Sequence, residues 1–239
     1  ETALVDEKHS ARARVNERHG GASLPLLVAD DTRKALGRLG RHWRLRFAPA
    51  LIAITGSNGK TTTKEMLLAI LRRHAGEPGA LATRGNLNTD IGVPLTLLGL
   101  RSSHRYCAVE LGMNHPGEIA MLAAIARPTI ALVNNAQREH LEFLRSVEAV
   151  AAENASVFEA LPSDGIAVLN ADDPMAPVFR KKAGRKKRVE FGIGAAEVSA
   201  RYTLKGLESE IVVSTPLGEA TARLAIPGAH NVRNALAAA

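Results

Sequence analysis

Four near-continuous apolar segments constrain this chain more than anything else in it: LIAIT (51–55), YCAVELG (106–112), TIALVNN (129–135) and GIAVLN (165–170). A strand that shows no polar alternation must be buried on both faces. The intervening stretches carry helical spacing. KTTTKEMLLAILRRH (60–74) would turn Met66, Leu67, Ile70 and Leu71 inward, GEIAMLAAIA (117–126) reads as a helix, and Ser146 can cap a helix running through Val150, Val157 and Phe158. Strands alternating with helices predict an α/β fold, a mostly parallel sheet with helices on both faces. Past about residue 187 the helices stop. KRVEFGI, VSARYTL, SEIVVSTP and ATARLAI read as four strands of a small antiparallel addition near the C-terminus. Upstream, LPLLVAD (24–30) reads as a strand. Asp31 or Thr32 can then cap a helix with Ala35, Leu36, Leu39 and Trp43 on one side, and Pro49 marks a junction.

Composition excludes several classes. In 239 residues, 46% hydrophobic and 23% charged, there is one cysteine, so neither a disulfide scaffold nor a disordered chain fits. With five Phe, two Tyr and one Trp, the core must be aliphatic. No apolar run approaches the roughly 20 residues that span a bilayer. The N-terminus, ETALVDEKHSARAR, is charged from its first residue and unlike a signal peptide. The expectation is a soluble cytoplasmic protein with no membrane insertion. The net charge of +7 is local. Lys181, Lys182, Arg185, Lys186, Lys187 and Arg188 supply nearly all of it, without interleaved aromatics, which reads as a solvated loop before a strand and argues against nucleic acid. Cys107 reads as an inert buried thiol and Trp43 as packing. Both ends look cut: the first residue is Glu, and HNVRNALAAA ends without a helix stop signal.

The strongest local signal is Thr55-Gly56-Ser57-Asn58-Gly59-Lys60-Thr61-Thr62, between a predicted strand and a predicted helix. Glycines let backbone approach a ligand, and the helix start offers free amides and a positive dipole end to phosphate. Lys60 can reach a β/γ-phosphate and the Thr61 hydroxyl can ligate Mg²⁺. The commoner loop spaces its glycines more widely, and Ile54 stands where its first glycine would be. Glu110 ends a predicted strand at the sheet's carboxyl edge, where open α/β folds bind ligands.

TGSNGKTT resembles the loop of Mur ligases and folylpolyglutamate synthetases. GNLNTDIGVPLTLLGL (85–100), VELGMNHPGEIAMLAAIARPTIALVNN (109–135) and IPGAHNVRNALAAA (226–239) resemble the MurF branch, the UDP-N-acetylmuramoyl-tripeptide–D-alanyl-D-alanine ligases. The resemblance implies that 1–47 is the tail of an N-terminal uridine-nucleotide domain and 48–239 the central ATP-binding domain, with a C-terminal Rossmann-like domain absent. It implies a monomeric ligase of peptidoglycan synthesis that uses ATP and Mg²⁺. UDP-MurNAc-tripeptide is activated as an acyl phosphate, which the amine of D-Ala-D-Ala attacks. By resemblance, Gly56, Ser57, Asn58, Gly59, Lys60, Thr61 and Thr62, with His230, Asn231 and Asn234, bind ATP. Asn86, Asn88, Thr89 and Asp90 contact the UDP-linked substrate; Lys60, Glu110 and His140 are catalytic; and Thr61, Glu110 and His140 hold metal. From the residues alone, Asn231 could equally be a helix cap and the 86–90 stretch a polar turn.

One departure stands out. Where the family's carbamylated lysine bridges two Mg²⁺ ions, this chain has Asn154, and no lysine lies between Lys64 and Lys181. A second ion would then fall to His140 with Glu153 or water, or bind only with substrate. Two other functions remain open at this point: a related amide ligase such as a folylpolyglutamate synthetase, or a nucleotide- or polyanion-binding module without catalysis. The resemblance also implies that closure around ATP requires the absent third domain, so the chain by itself is expected to be catalytically incomplete.

Overall fold

The computed structural model describes residues 3–6, 26–138 and 141–239. A short parallel pair, β1 (Ala3–Asp6) with β2 (Leu26–Ala29), leads into helix α1 (Thr32–Arg44). The main chain course is then β3 (Ala50–Thr55), α2 (Lys60–Ala75), β4 (Ala80–Ala82), α3 (Gly92–Leu98), β5 (Tyr106–Glu110), α4 (Glu118–Ala126), β6 (Ile130–Val133), α5 (Val147–Ala155), β7 (Ile166–Asn170), α6 (Ala176–Ala183) and β8 (Lys187–Phe191). Its six strands form one sheet in the order β4-β5-β3-β6-β7-β8, with every pairing parallel. β9 (Ser199–Lys205), β10 (Glu208–Thr215) and β11 (Gly218–Leu224) make a three-stranded antiparallel sheet, and α7 (Ala229–Ala238) follows.

The apolar strands are buried on both faces, as their composition requires. In β3, Leu51 and Ala53 join a core with Val93, Leu97, Leu122, Val150, Phe158 and Phe179, under α3 to α6. Ile52 and Ile54 point the other way, into a second core with Leu68 of α2, Leu236 of α7, and Ile211 and Val213 of β10. β3 lies at the centre, and the chain leaves it first toward β4 and β5, then toward β6, β7 and β8. The crevice above the carboxyl end of such a centre is where ligands bind in open α/β sheets.

Several details differ from the sequence reading. KRVEF is not part of the antiparallel addition, which has three strands; it pairs parallel with β7 as the sixth strand of the main sheet. The basic run is no simple loop. Lys181 and Lys182 close α6, where cations complement the helix dipole, and Lys187 and Arg188 open the edge strand β8, which charge protects from further pairing. In α2, Met66, Leu67 and Leu71 pack part-buried against the second core as expected, but the buried residues are Thr63, Lys64 and Leu68, and Ile70 is exposed.

Asp31, not Thr32, caps α1, accepting from the amides of Arg33 and Lys34, both at 3.0 Å. The buried face of α1 is Gly37, Gly40 and Arg44, and Leu39 stays 43% exposed. Close helix contact explains the glycines: a Cβ on Gly40 would lie 2.8 Å from Pro94 Cα in α3. Gly40→Ala must push the two helices apart. It is expected to lower stability by about 1–3 kcal/mol, read from the urea midpoint.

Ser146 caps α5 as expected, its hydroxyl accepting from Ala149 N at 3.1 Å, and a 3-10 turn (Ser156–Ala160) carries Val157 and Phe158. Trp43 packs edge-on against Phe47 and donates to the Leu100 carbonyl, so it is a packing residue. Cys107 is fully buried, and burial pushes its thiol up to about 12.

Candidate functional site

The phosphate loop leaves the carboxyl end of β3 and closes into α2 at Gly59, whose φ of 78° suits glycine. There is no room for a side chain there either: a Cβ would stand 2.3 Å from Asn234 Oδ1. No side chain caps α2, which leaves its first amides and positive dipole end to an anion. Lys60 lies across the loop, its ammonium donating to the carbonyls of Gly56 and Ser57.

The loop's outer half is braced by the segment after β6. Ser57 N donates to Asn135 O, Asn58 N to Asn135 Oδ1, and Asn58 Nδ2 to Gln137 Oε1 at 2.7 Å. The Ser57 hydroxyl accepts from Gln137 N at 2.8 Å. The side chains of Ser57 and Asn58 thus set the loop's shape through contacts within the protein.

The candidate metal ligand Glu110 ends β5 and is only 2% exposed. The Thr61 hydroxyl donates to its Oε2 at 2.9 Å and Asn88 Nδ2 to its Oε1 at 2.8 Å. Asn88 can reach it because Gly112 lacks a side chain; a Cβ there would sit 2.9 Å from the Asn88 amide carbon. One carboxylate beside one hydroxyl fits Mg²⁺, a hard cation that keeps several waters and takes phosphate oxygens instead of filling a protein cage. Among the described residues no cluster of three or more His, Cys, Asp or Glu exists.

The remaining expected residues divide. Asn86 and Thr89 are exposed, while Asp90 pairs with Arg33 of α1 at 2.8 Å. His140 lies outside the described residues. Asn154 is buried against the start of the phosphate loop. Its Oδ1 accepts from Gly56 N at 2.9 Å, its Nδ2 donates to Val150 O, and its carbonyl accepts from the Thr55 hydroxyl. Glu153 accepts from the amides of Gly117 and Ile119 at the start of α4. Both side chains are hydrogen-bonded to backbone groups.

Beside the loop opens a cavity of about 530 Å³, lined by Asn58, Gly59, Thr62, Asn134, Asn170, Asp172, Asp173, His230, Asn231, Arg233 and Asn234, among others. The three residues expected from α7 do reach it. Asn231 is not the helix cap, a position taken by Gly228; Asn231 Nδ2 bonds the Pro227 carbonyl and contacts the His230 ring. Asn234 Oδ1 accepts from Asn134 Nδ2 at 2.9 Å. Asp172 holds the cavity's far wall, binding the amides of Ile193 and Gly194 and pairing with Arg233 at 3.1 Å. Burial alone would raise its pKa, but these hydrogen bonds and the guanidinium outweigh it and hold the carboxyl below its usual range.

The sequence reading passed over Asn134, Asn170, Asp172 and Asp173. Asn170 ends an apolar strand and the others follow one at the sheet's carboxyl edge, a position that could have marked them.

The Mur ligase middle domain family matches residues 54–239. The chain belongs to that family. Among curated relatives of this Mur ligase segment, the UDP-N-acetylmuramoyl-tripeptide–D-alanyl-D-alanine ligase of Escherichia coli is 42% identical over 219 residues, 90% of this chain and 48% of that protein. Among solved structures, MurF from Acinetobacter baumannii superposes with a TM-score of 0.85 at 39% identity, covering 91% of this chain and 48% of that one. MurF ligase from Thermotoga maritima in complex with ADP gives 0.77 at 25% identity, covering 91% and 50%. The chain spans about half the length of the curated relatives it matches. A folylpolyglutamate synthetase complex with AMPPCP is 13% identical, a likeness of fold alone. Among the described residues no helix is long and apolar enough to cross a membrane.

Proposed function

We propose that this chain is the ATP-binding part of a MurF-type ligase, joining D-Ala-D-Ala to UDP-MurNAc-tripeptide in peptidoglycan synthesis. The observation that carries the reading is the meeting of Thr61, in the first turn after the phosphate loop, with the buried Glu110 at 2.9 Å. The names of the relatives at 35–42% identity support the substrates.

In this reading 1–47 belongs to a uridine-nucleotide domain and 48–239 is the central ATP-binding domain. ATP lies with its phosphates at the loop and its base in the adjoining cavity. Asn134 Oδ1 supports that assignment: buried in the cavity wall and without a hydrogen-bond partner among the described residues, it offers an acceptor to a purine amine. An oxygen of the tripeptide's terminal carboxylate attacks the γ-phosphorus, and ADP leaves. The D-Ala-D-Ala amine then attacks the acyl carbon, loses a proton, and phosphate departs.

Two anions must approach in the first step, so positive charge is the main requirement. Lys60 and the start of α2 supply part of it. Thr61 and Glu110 would hold Mg²⁺, which when bound neutralises charge on the phosphate oxygens. His140 is assigned to the same metal chemistry by resemblance. Asn88 orients Glu110, while Asn86, Thr89 and Asp90 lie on the loop assigned to the UDP-linked substrate. The partners are small molecules, and the protein acts in the cytoplasm as a monomer in cell-wall building, cell shape and division.

The test is phosphate release by the ligase carrying this chain. Release that requires both UDP-MurNAc-tripeptide and D-Ala-D-Ala is expected. Release with folate and glutamate instead, or without dependence on the dipeptide, would overturn the assignment.

A further inference from the structure

Among the described residues, Lys64 is one of the largest side chains fully withdrawn from solvent, at 0% exposed. A buried ammonium is costly unless hydrogen-bonded, and an aliphatic side chain could fill the same space. Its partners explain its presence. Lys64 Nζ donates to the Thr83 carbonyl at 2.8 Å and pairs with Glu65, whose carboxylate is mostly exposed, at 2.9 Å.

Thr83 directly follows β4, is itself buried, and starts the connection that carries Asn88. Its amide donates to Ala108 O in β5 at 3.0 Å, and its hydroxyl accepts from Glu110 N at 3.0 Å. Glu110 in turn accepts from Thr61, one turn before Lys64 on the same helix. Lys64, Thr83, Glu110 and Thr61 therefore close a ring of hydrogen bonds joining α2, the end of β4 and the end of β5.

We propose that Lys64 is a positioning residue for metal binding: by gripping the Thr83 carbonyl it fixes the end of β5, and with it Glu110, against the first turn of α2. The proposal rests on the reading of Thr61 and Glu110 as the Mg²⁺ site. Lys64 itself touches neither nucleotide nor metal. Its loss should be felt in metal demand and not in the affinity of the loop for nucleotide alone. Residues that orient metal ligands from behind commonly change metal affinity by about 10- to 100-fold.

The test titrates the chain with ATP by calorimetry, in EDTA and across a Mg²⁺ series, for the parent, Lys64→Met and Thr83→Val. The expected result for Lys64→Met is a roughly tenfold rise in the Mg²⁺ needed for half-maximal nucleotide affinity, with affinity in EDTA within about twofold of the parent. Thr83→Val, which removes the acceptor for Glu110 N, should shift in the same direction. Unchanged Mg²⁺ demand in both variants would overturn the proposal. So would an equal loss in EDTA and in Mg²⁺, the mark of a purely structural role. If Lys64→Met fails to fold, Thr83→Val decides: a shift supports the ring, and no shift sinks it. Absence of Mg²⁺-dependent binding in the parent would remove the metal-site reading and this proposal together, whereas normal parent binding with unshifted variants removes this proposal alone.

Discussion

Glu110→Gln is expected to slow phosphoryl transfer by the proposed ligase roughly 10²- to 10³-fold, while the protein stays folded. Glu110 is buried, yet both its oxygens face neutral donors, the Thr61 hydroxyl and the Asn88 amide. No cation balances it among these contacts, so its negative charge remains for a metal ion. Glutamine preserves the volume and one acceptor, but sets an NH₂ group against one of the two donors. That mismatch should cost about 1–2 kcal/mol of stability. The larger loss is the charge, which a neutral amide cannot restore for a hard cation. Steady-state rates at saturating ATP over a Mg²⁺ series, beside a melting curve, check both parts. Turnover near the parent rate would remove Glu110 from the site.

Arg44→Met should have the largest effect on folding, about 3 kcal/mol, through a different mechanism. Arg44 ends α1 with its guanidinium buried and donates to four carbonyls: Phe47 at 2.7 Å, Ala126 at 3.2 Å, Arg127 at 3.4 Å and Pro49 at 3.5 Å. Two of these close α4, whose carbonyls lack helical partners, and two lie on the entry to β3. A single planar fork thus ties α1, α4 and the approach to the central strand. Methionine replaces the bulk and none of the hydrogen bonds, and unpaired buried carbonyls cost about 1–3 kcal/mol each. The urea midpoint should fall with little change in slope. Arg44→Lys, able to reach only part of the set, should recover less than half. A loss below about 1 kcal/mol for methionine would show that water satisfies these groups.

These two residues illustrate what could be read before the fold was known. Glu110 was legible because a carboxylate closing an apolar strand beside a phosphate loop has few structural reasons to be there. Arg44 was not, since its four partners lie up to 83 positions away. The same holds for Lys64, which in KTTTKEM reads as a surface charge until the Thr83 carbonyl is brought to it. The strands of the central sheet were plain because double burial leaves no polar alternation. β8 was misassigned because KRVEF is half charged, as an edge strand is.

Helix α1 misled for a geometric reason. Two of its three buried residues are glycines, which carry no hydrophobic signal, so Leu39 was placed inward although it is exposed, while Trp43 packs against the core as expected. β4, α3 and α6 are short, at three, seven and eight residues, and were passed over. Asn88, assigned to substrate by resemblance, turns to Glu110 because Gly112 makes room. Asn154, which stands where the family's bridging lysine would, fastens Gly56 of the loop.

The central claim is that Gly56 to Thr62 form a working Mg·ATP site, and calorimetric titration of the 239-residue chain with Mg·ATP, beside Lys60→Ala, tests it most directly. Lys60 makes its hydrogen bonds to the carbonyls of Gly56 and Ser57, so its removal should leave the fold in place while deleting the charge that meets the phosphates. The account predicts saturable binding by the parent and a loss of at least about 100-fold in the variant, on the order of 3 kcal/mol. Equal binding by both proteins would contradict it, because the nucleotide would then be held somewhere other than this loop.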